Sequence, residues 1–326
     1  MFYSYIFIYI CYELHLILFM NYTLHQLEIF KKLTELTSVT RVSESLYLSQ
    51  PAVSIQLKNF QNQFSQPLFE VIGRQVFITD FGKEIGISAN KILEEVQLIN
   101  YKSSEFEGKI AGKLKIAIVS TAKYAIPYFL TDFIKDNDAV DLIMDVTNKA
   151  NVLKSLENNE VDFAMVSTLP KNMNIERIEL MKNKLFLVGP SHYNMSSKKF
   201  QKRELEKLSF IYRENGSATR IAMQNYIEKQ KIRISKKIEL TSNEAIKQAI
   251  VAGLGFSIMP LIGIKSSLQS NELKIFKTTG LPIETNWNLI WLKSKKKNTV
   301  TTAFIEYMNK NKNDIINHKF GWFEDY

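Results

Sequence analysis

The chain has 326 residues, 45% of them hydrophobic and 23% charged, enough for two domains or more and for a sizeable core. That composition excludes a disordered or fibrous protein, and the single cysteine, Cys11, excludes an internal disulfide framework and fits a reducing compartment. The net charge of +9 invites a polyanionic partner, but residues 22–107 carry eight Lys or Arg against ten Asp or Glu, so the excess lies further on, as at Lys295-Lys296-Lys297, where it reads as a solvated surface.

Residues 1–19 are apolar and aromatic without Lys or Arg. A secretory signal needs a basic start and a small-residue cleavage site, and both are missing. A membrane span needs about 20 apolar residues, and Glu13 and His15 interrupt this stretch. The expectation is that residues 1–19 reflect start-codon choice, with Met20 as the native start; the alternative is a membrane anchor.

Leu24, Leu27, Phe30, Leu33 and Leu36 then mark one apolar helix face. Ser38 or Thr40 can cap a second helix that buries Val42 and Leu46, and Leu48 plugs the turn after it. Ser49 can cap a third, with Pro51 in the first turn, where its missing N–H costs nothing. Val53, Leu57 and Phe60 face inward. Ser49, Gln50, Ala52, Ser54, Gln56 and Lys58 are left on exposed or N-terminal positions. Two short helices joined by a tight turn, with such residues opening the second, form a helix-turn-helix. Gln can bond adenine with two hydrogen bonds, Ser tolerates several bases, and Ala52 is small enough to meet a thymine methyl. Lys58 suits a phosphate, and Thr40 and Arg41 at the start of the second helix are further candidates for DNA contact. The run Leu68 to Thr79 reads as a β-hairpin with Gly73-Arg74 at its tip, so Arg74 could reach a minor groove or a phosphate.

Thr79 can cap a long helix from about Phe81 to Glu107. Its apolar positions Ile85, Ala89, Ile92, Val96 and Ile99 are spaced four and three residues apart in turn, a seam that pairs with a second copy. Gly108 and Gly112 end it. From residue 113 strands and helices alternate, which predicts an α/β fold with parallel sheets. Strands are expected at Leu114–Val119, Val140–Val146, Val161–Val166, Leu185–Val188, Phe210–Tyr212 and Phe256–Met259.

Small-molecule sites favour the carboxyl ends of such strands. Ser120, Thr121, Asn148 and Ser167 lie at three of them. Opposite, Gly216, Ser217 and Thr219 open a helix whose free N–H groups favour an anion, Arg213 and Arg220 can add charge, and Asn243 begins another helix. A carboxylate or phosphate fits these groups. No metal, cofactor or catalytic constellation is written here: His15, His25, His192 and His318 are not at metal spacing, and there is no nucleotide loop, nucleophile elbow or dinucleotide fingerprint.

The run Ser49-Gln50-Pro51-Ala52-Val53-Ser54, the pair Leu68-Phe69 and the spacing Arg74, Thr79, Gly82 resemble the winged helix-turn-helix of LysR-type transcriptional regulators. Val42-Ser43 stand where the family has two alanines and Phe60-Gln61 where it has Leu-Glu, both read as packing changes. Val71 replaces a frequent Arg. The later runs Arg213 to Arg220, Ser242 to Ala249 and Gly280 to Ile283 resemble the subgroup that includes regulators of carbon-dioxide-fixation (RuBisCO) operons. The resemblance implies an N-terminal winged helix-turn-helix, mainly α, over residues 20–80 and a linker and dimerisation helix over 81–107. It also implies a two-lobed α/β effector domain, like a periplasmic binding protein, over 113–326. Lobe I would span 113–185 and 276–326, and lobe II 186–275. It further implies a cytoplasmic homodimer or homotetramer that binds double-stranded operator DNA and a small anionic effector, with RNA polymerase as a further partner and no membrane. The other reading is a solute-binding protein, which leaves Ser49–Ser54 unexplained.

Overall fold

The computed structural model describes residues 21–73, 75–194 and 198–326. The expectations for residues 1–19 and for Arg74 fall outside them. The chain divides into two compact units, one ending at Ser103 and one running from Ser104 to Tyr326.

In the first unit, α1 (Leu24–Leu36) starts at a capping box in which the Thr23 hydroxyl accepts from the Gln26 N–H and the Gln26 carbonyl oxygen accepts from the Thr23 N–H. α2 (Val39–Ser45) is capped by Ser38 and α3 (Gln50–Gln61) by Ser49, with Pro51 in its first turn. Leu27, Phe30, Leu33, Val42, Val53, Leu57 and Phe60 form the core, each at most 4% exposed. Each contributes about 1.5–3 kcal/mol of hydrophobic burial. Tyr22, Phe30 and Phe64 pack around the Phe60 ring.

The hairpin forms as β1 (Phe69–Ile72) and β2 (Gln75–Ile78), antiparallel, with Ile72 opposite Gln75. Its entry is held by Gln61, whose side-chain oxygen accepts from the N–H groups of both Leu68 and Phe69 at 3.0 Å. Gln61 is therefore a polar latch and not a packing change. Thr79 caps α4 (Asp80–Phe106) through a 2.9 Å bond from the Gly82 N–H. A Cβ at Gly82 would sit on the Leu68 carbonyl, so only glycine lets helix and hairpin meet this closely.

The second unit runs β3 (Gly112–Val119), α5 (Ile126–Asp136), β4 (Val140–Thr147), α6 (Lys149–Glu157), β5 (Phe163–Val166), β6 (Ile175–Pro190) and α7 (Lys202–Leu205). It continues with β7 (Ser209–Arg213), α8 (Ala218–Lys229), β8 (Lys236–Leu240), α9 (Asn243–Val251), β9 (Ser257–Pro260) and α10 (Lys265–Gln269). β10 (Leu273–Phe276), β11 (Ile283–Leu292) and α11 (Thr299–Phe320) complete it. The main sheet has the order β10-β6-β11-β5-β3-β4, with β9 also on β6, and β7 pairs with β8.

The expected parallel pairing is found for part of the main sheet and for the β7–β8 pair. β3 is parallel to β4 and β5, but β11 lies antiparallel between β5 and β6. The chain leaves the first lobe along β6 and returns along β11, and neighbouring outbound and return segments must oppose each other. One core packs Phe129, Phe133, Phe163, Trp287 and Phe304 around β3 and β5. A second gathers Phe200, Phe210, Tyr226, Phe256 and Phe276 in the other lobe. Gly189 on β6 is fixed by that second core, because a Cβ there would run into the Phe256 and Phe276 rings.

Candidate functional site

On α3 the side chains of Ser49, Gln50, Pro51, Ser54 and Lys58 are exposed, as are Thr40 and Arg41 at the start of α2. Ala52 is half-buried. Gln56 is not free: it is half-buried and its side-chain oxygen accepts a 3.1 Å bond from Gln26 on α1. It flanks the Val53–Leu57 stripe, which turns it inward. Two exposed apolar groups were not anticipated. Ile55 is 58% exposed on α3, and Tyr47, at φ +54° in the turn before it, is 97% exposed. On the hairpin Val71, Ile72 and Phe77 are also exposed.

The five seam positions of α4 separate. Ala89 is 1% exposed and belongs to the core of its own unit, with Ile85 packed against the same cluster. The helix base lies on the domain it follows, which removes these two from a free seam. Ile92 and Ile99 remain exposed and Val96 half-buried, with Ile87 and Leu98 as further exposed apolar groups.

In the second unit some of the expected effector residues lie together. Asn148 caps α6, Ser217 caps α8, and Ser242 caps α9 so that Asn243 opens it. Ser120, after β3, accepts from Arg213 of β7 at 3.1 Å and from Asn243 at 3.3 Å, tying the lobes together. The Ala150 N–H donates to the Gly216 carbonyl at 3.3 Å across the same gap. Gly216 has φ +84°, a region that favours glycine, and a Cβ there would press on Ala150. Thr121 is buried and makes no side-chain cap bond. Ser167 is half-buried and Thr219 buried.

Arg220 is engaged within its own lobe. It is 7% exposed, and one guanidinium nitrogen donates at 2.7 Å both to the Arg213 carbonyl and to Glu239 of β8. That nitrogen joins α8 to the β7–β8 pair, while the buried Nε of Arg220 has no hydrogen-bond partner among the described residues. The Arg220 hydrogen bond, aided by its charge and by Lys237, holds the Glu239 carboxyl below the ordinary glutamate range. The cation at the cluster is instead Arg213, 3% exposed and held by Glu214 through two bonds of 2.8 and 2.9 Å. Burial of Lys149, at the start of α6, pushes its ammonium below the usual lysine range. Among the described residues no group of three or more His, Cys, Asp or Glu could hold a metal ion, and no helix is long and apolar enough to cross a membrane.

A helix-turn-helix with a hairpin wing, a long helix and a two-lobed α/β unit define a ligand-responsive class of DNA-binding regulator. Two family models match: "Bacterial regulatory helix-turn-helix protein, lysR family" over residues 24–83, and "LysR substrate binding domain" over residues 107–312. The chain belongs to the LysR family and is a DNA-binding transcription regulator. It is 30% identical over 289 residues to the transcriptional activator CmpR of Synechocystis, covering 88% of this chain and 95% of that one. It is 31% identical over 287 residues to the RuBisCO operon transcriptional regulator of Acidithiobacillus ferrooxidans, covering 88% and 93%. Among solved structures it is similar to the Synechocystis CcmR regulatory domain in complex with 2-PG. That likeness has a TM-score of 0.57 and 32% identity and covers 60% of this chain and 95% of that one. The full-length CbnR structure with its target DNA shares the fold at a TM-score of 0.64 and 18% identity, covering 88% and 99%. The match over residues 24–83 leaves a solute-binding protein disfavoured.

Proposed function

We propose that this regulator reads operator DNA with Gln50, Ser54 and neighbouring groups of α3, anchors on phosphates through Thr40, Arg41 and Lys58, and answers to a small anionic effector held between the two lobes. It acts in the cytoplasm as a homodimer or homotetramer and without catalytic turnover. Ile92, Val96 and Ile99 pair with a second copy, so that two recognition helices meet two half-sites. The observation that carries the effector reading is the meeting of Ser120, Arg213 and Asn243 from both lobes around one hydroxyl. An anion that took Glu214's place on Arg213 would exchange an intramolecular bond for a bridge between lobes. Such a ligand acts only through its different affinity for the two lobe arrangements. The 2-PG bound to the CcmR regulatory domain supports an anion of that class.

The test is binding of the chain from Met20 to its own upstream intergenic DNA and to scrambled DNA at one salt concentration, with and without 2-PG. Selective binding over two or more half-sites, altered by 2-PG, is the expected result. Equal binding to both DNAs at every salt concentration overturns the operator reading, and selective binding indifferent to 2-PG overturns this choice of anion.

A further inference from the structure

Ile55 stands on the side of α3 opposite its core, and none of the contacts above uses it. The buried stripe of that helix is Val53, Leu57 and Phe60. At about 100° per residue, Ile55 lies about 160° from both Val53 and Leu57. The exposed residues within one turn of it are Pro51, Ser54, Lys58 and Asn59. A docking that brings Gln50, Ser54 and Lys58 to DNA therefore presses Ile55 into the groove as well. It is 58% exposed there, a branched apolar side chain among mostly polar ones. Single apolar residues are common on ordinary surfaces. This one lies at the centre of a surface that must give up its water to a polar groove.

The major groove offers hydrogen-bond donors and acceptors at every base pair and one apolar group, the C5-methyl of thymine. Packed on a donor or acceptor, isoleucine would leave that group dry and unpaired, which is costly. Packed on the methyl, it buries apolar surface on both partners. Ala52, the small apolar residue near the start of α3, is half-buried and offers one carbon. We propose that Ile55 reads the C5-methyl of one thymine in each half-site and so selects a T·A pair in one orientation. A C·G pair would instead set the cytosine amino group beside the isoleucine. The inference rests on α3 being the recognition helix and names a base that this helix selects.

Uracil in place of thymine removes the methyl and keeps every hydrogen-bonding group. The test is therefore a uracil scan, with mobility-shift titrations of the full chain on its own upstream intergenic DNA carrying uracil at one thymine at a time. One position in each half-site should lose about three- to fivefold in affinity, the worth of one buried methyl group. That ratio should hold from low to high salt, because it involves no phosphate contact. Ile55→Ala should bind the thymine and uracil forms of that position equally and keep the wild-type melting temperature. Ile55→Val should keep most of the preference. Indifference of the wild type to uracil at every position, or a preference that survives in Ile55→Ala, overturns the proposal. Gln50→Ala, titrated alongside, separates two kinds of failure. Where Gln50→Ala lowers the preference for intergenic over scrambled DNA but uracil changes nothing, the role of Ile55 alone falls. Where neither Gln50→Ala nor Ile55→Ala alters that preference, α3 is not the recognition helix and both readings fall.

Discussion

Gln50 and Lys58 sit on the same short helix and should fail in different ways. Gln50→Ala should weaken operator binding by about 1–3 kcal/mol and leave binding to scrambled DNA unchanged. Lys58→Ala should weaken both and lower the slope of log affinity against log salt by about one. Mobility-shift titrations at three salt concentrations distinguish them. The Arg220–Glu239 pair makes a prediction in pH. Because Glu239's carboxyl is held low in the fold, the pair's contribution is present above the ordinary glutamate pKa and is lost as the pH falls through the depressed value. Arg220→Met should therefore be less stable than wild type near neutrality, with the gap narrowing in acid; a gap constant with pH would refute the assignment. In the sequence Arg220 looked as available as Arg213, because nothing in the spacing reveals that Glu239, nineteen residues on, lies within 2.7 Å.

Elements with strong local rules were legible. Ser49, Pro51 and the Val53–Leu57–Phe60 stripe fix α3 from its own residues, and Thr79 marks the onset of α4. Less legible was the first half of β6, where Glu176, Arg177, Glu179 and Lys182 break the apolar pattern, because β11 and not the core fills that stretch's hydrogen bonds. On α4 the 4-3 spacing is real, but two of its positions serve the helix's own domain. Ala89→Glu should consequently destabilise the first unit by a few kcal/mol by burying a charge, whereas Ile99→Glu should leave the melting temperature unchanged and weaken self-association at least tenfold in sedimentation. The Gln61 latch gives a test of opposite sign. Gln61→Met leaves two N–H groups unpaired and should cost about 1–3 kcal/mol. Gln61→Glu, a charged acceptor, should hold the Leu68 and Phe69 N–H groups at least as well. Hydrogen exchange at those two amides reads both.

For the molecule as a whole, net charge was a poor guide. The unit that binds DNA carries fewer basic than acidic residues in its sequence, so placement of a few cations and pairing of two copies must supply the affinity. A fragment of residues 108–326 holds both second-unit cores and should bind 2-PG while failing to retard DNA, which gel shift and calorimetry on one preparation would check. The alternation of strands and helices announced an α/β unit, but not the return of β11 between β5 and β6, because that strand order is set by pairs far apart in sequence, such as Leu292 with Ile175.

That return has a mechanical consequence. The lobe built from β7 to β10 hangs on two strands that are hydrogen-bonded to each other, Leu185 beside Ile283. Tension applied between Gly112 and Phe320 would load β3, β11 and α11 first, and would reach the hanging lobe only after β11 had been unzipped from β6. In an optical trap the unit should therefore give way in a fixed sequence, the lobe that holds both chain ends first and the inserted lobe second. Shortening the tether to Leu185 and Ile283 should erase the first event and leave the second.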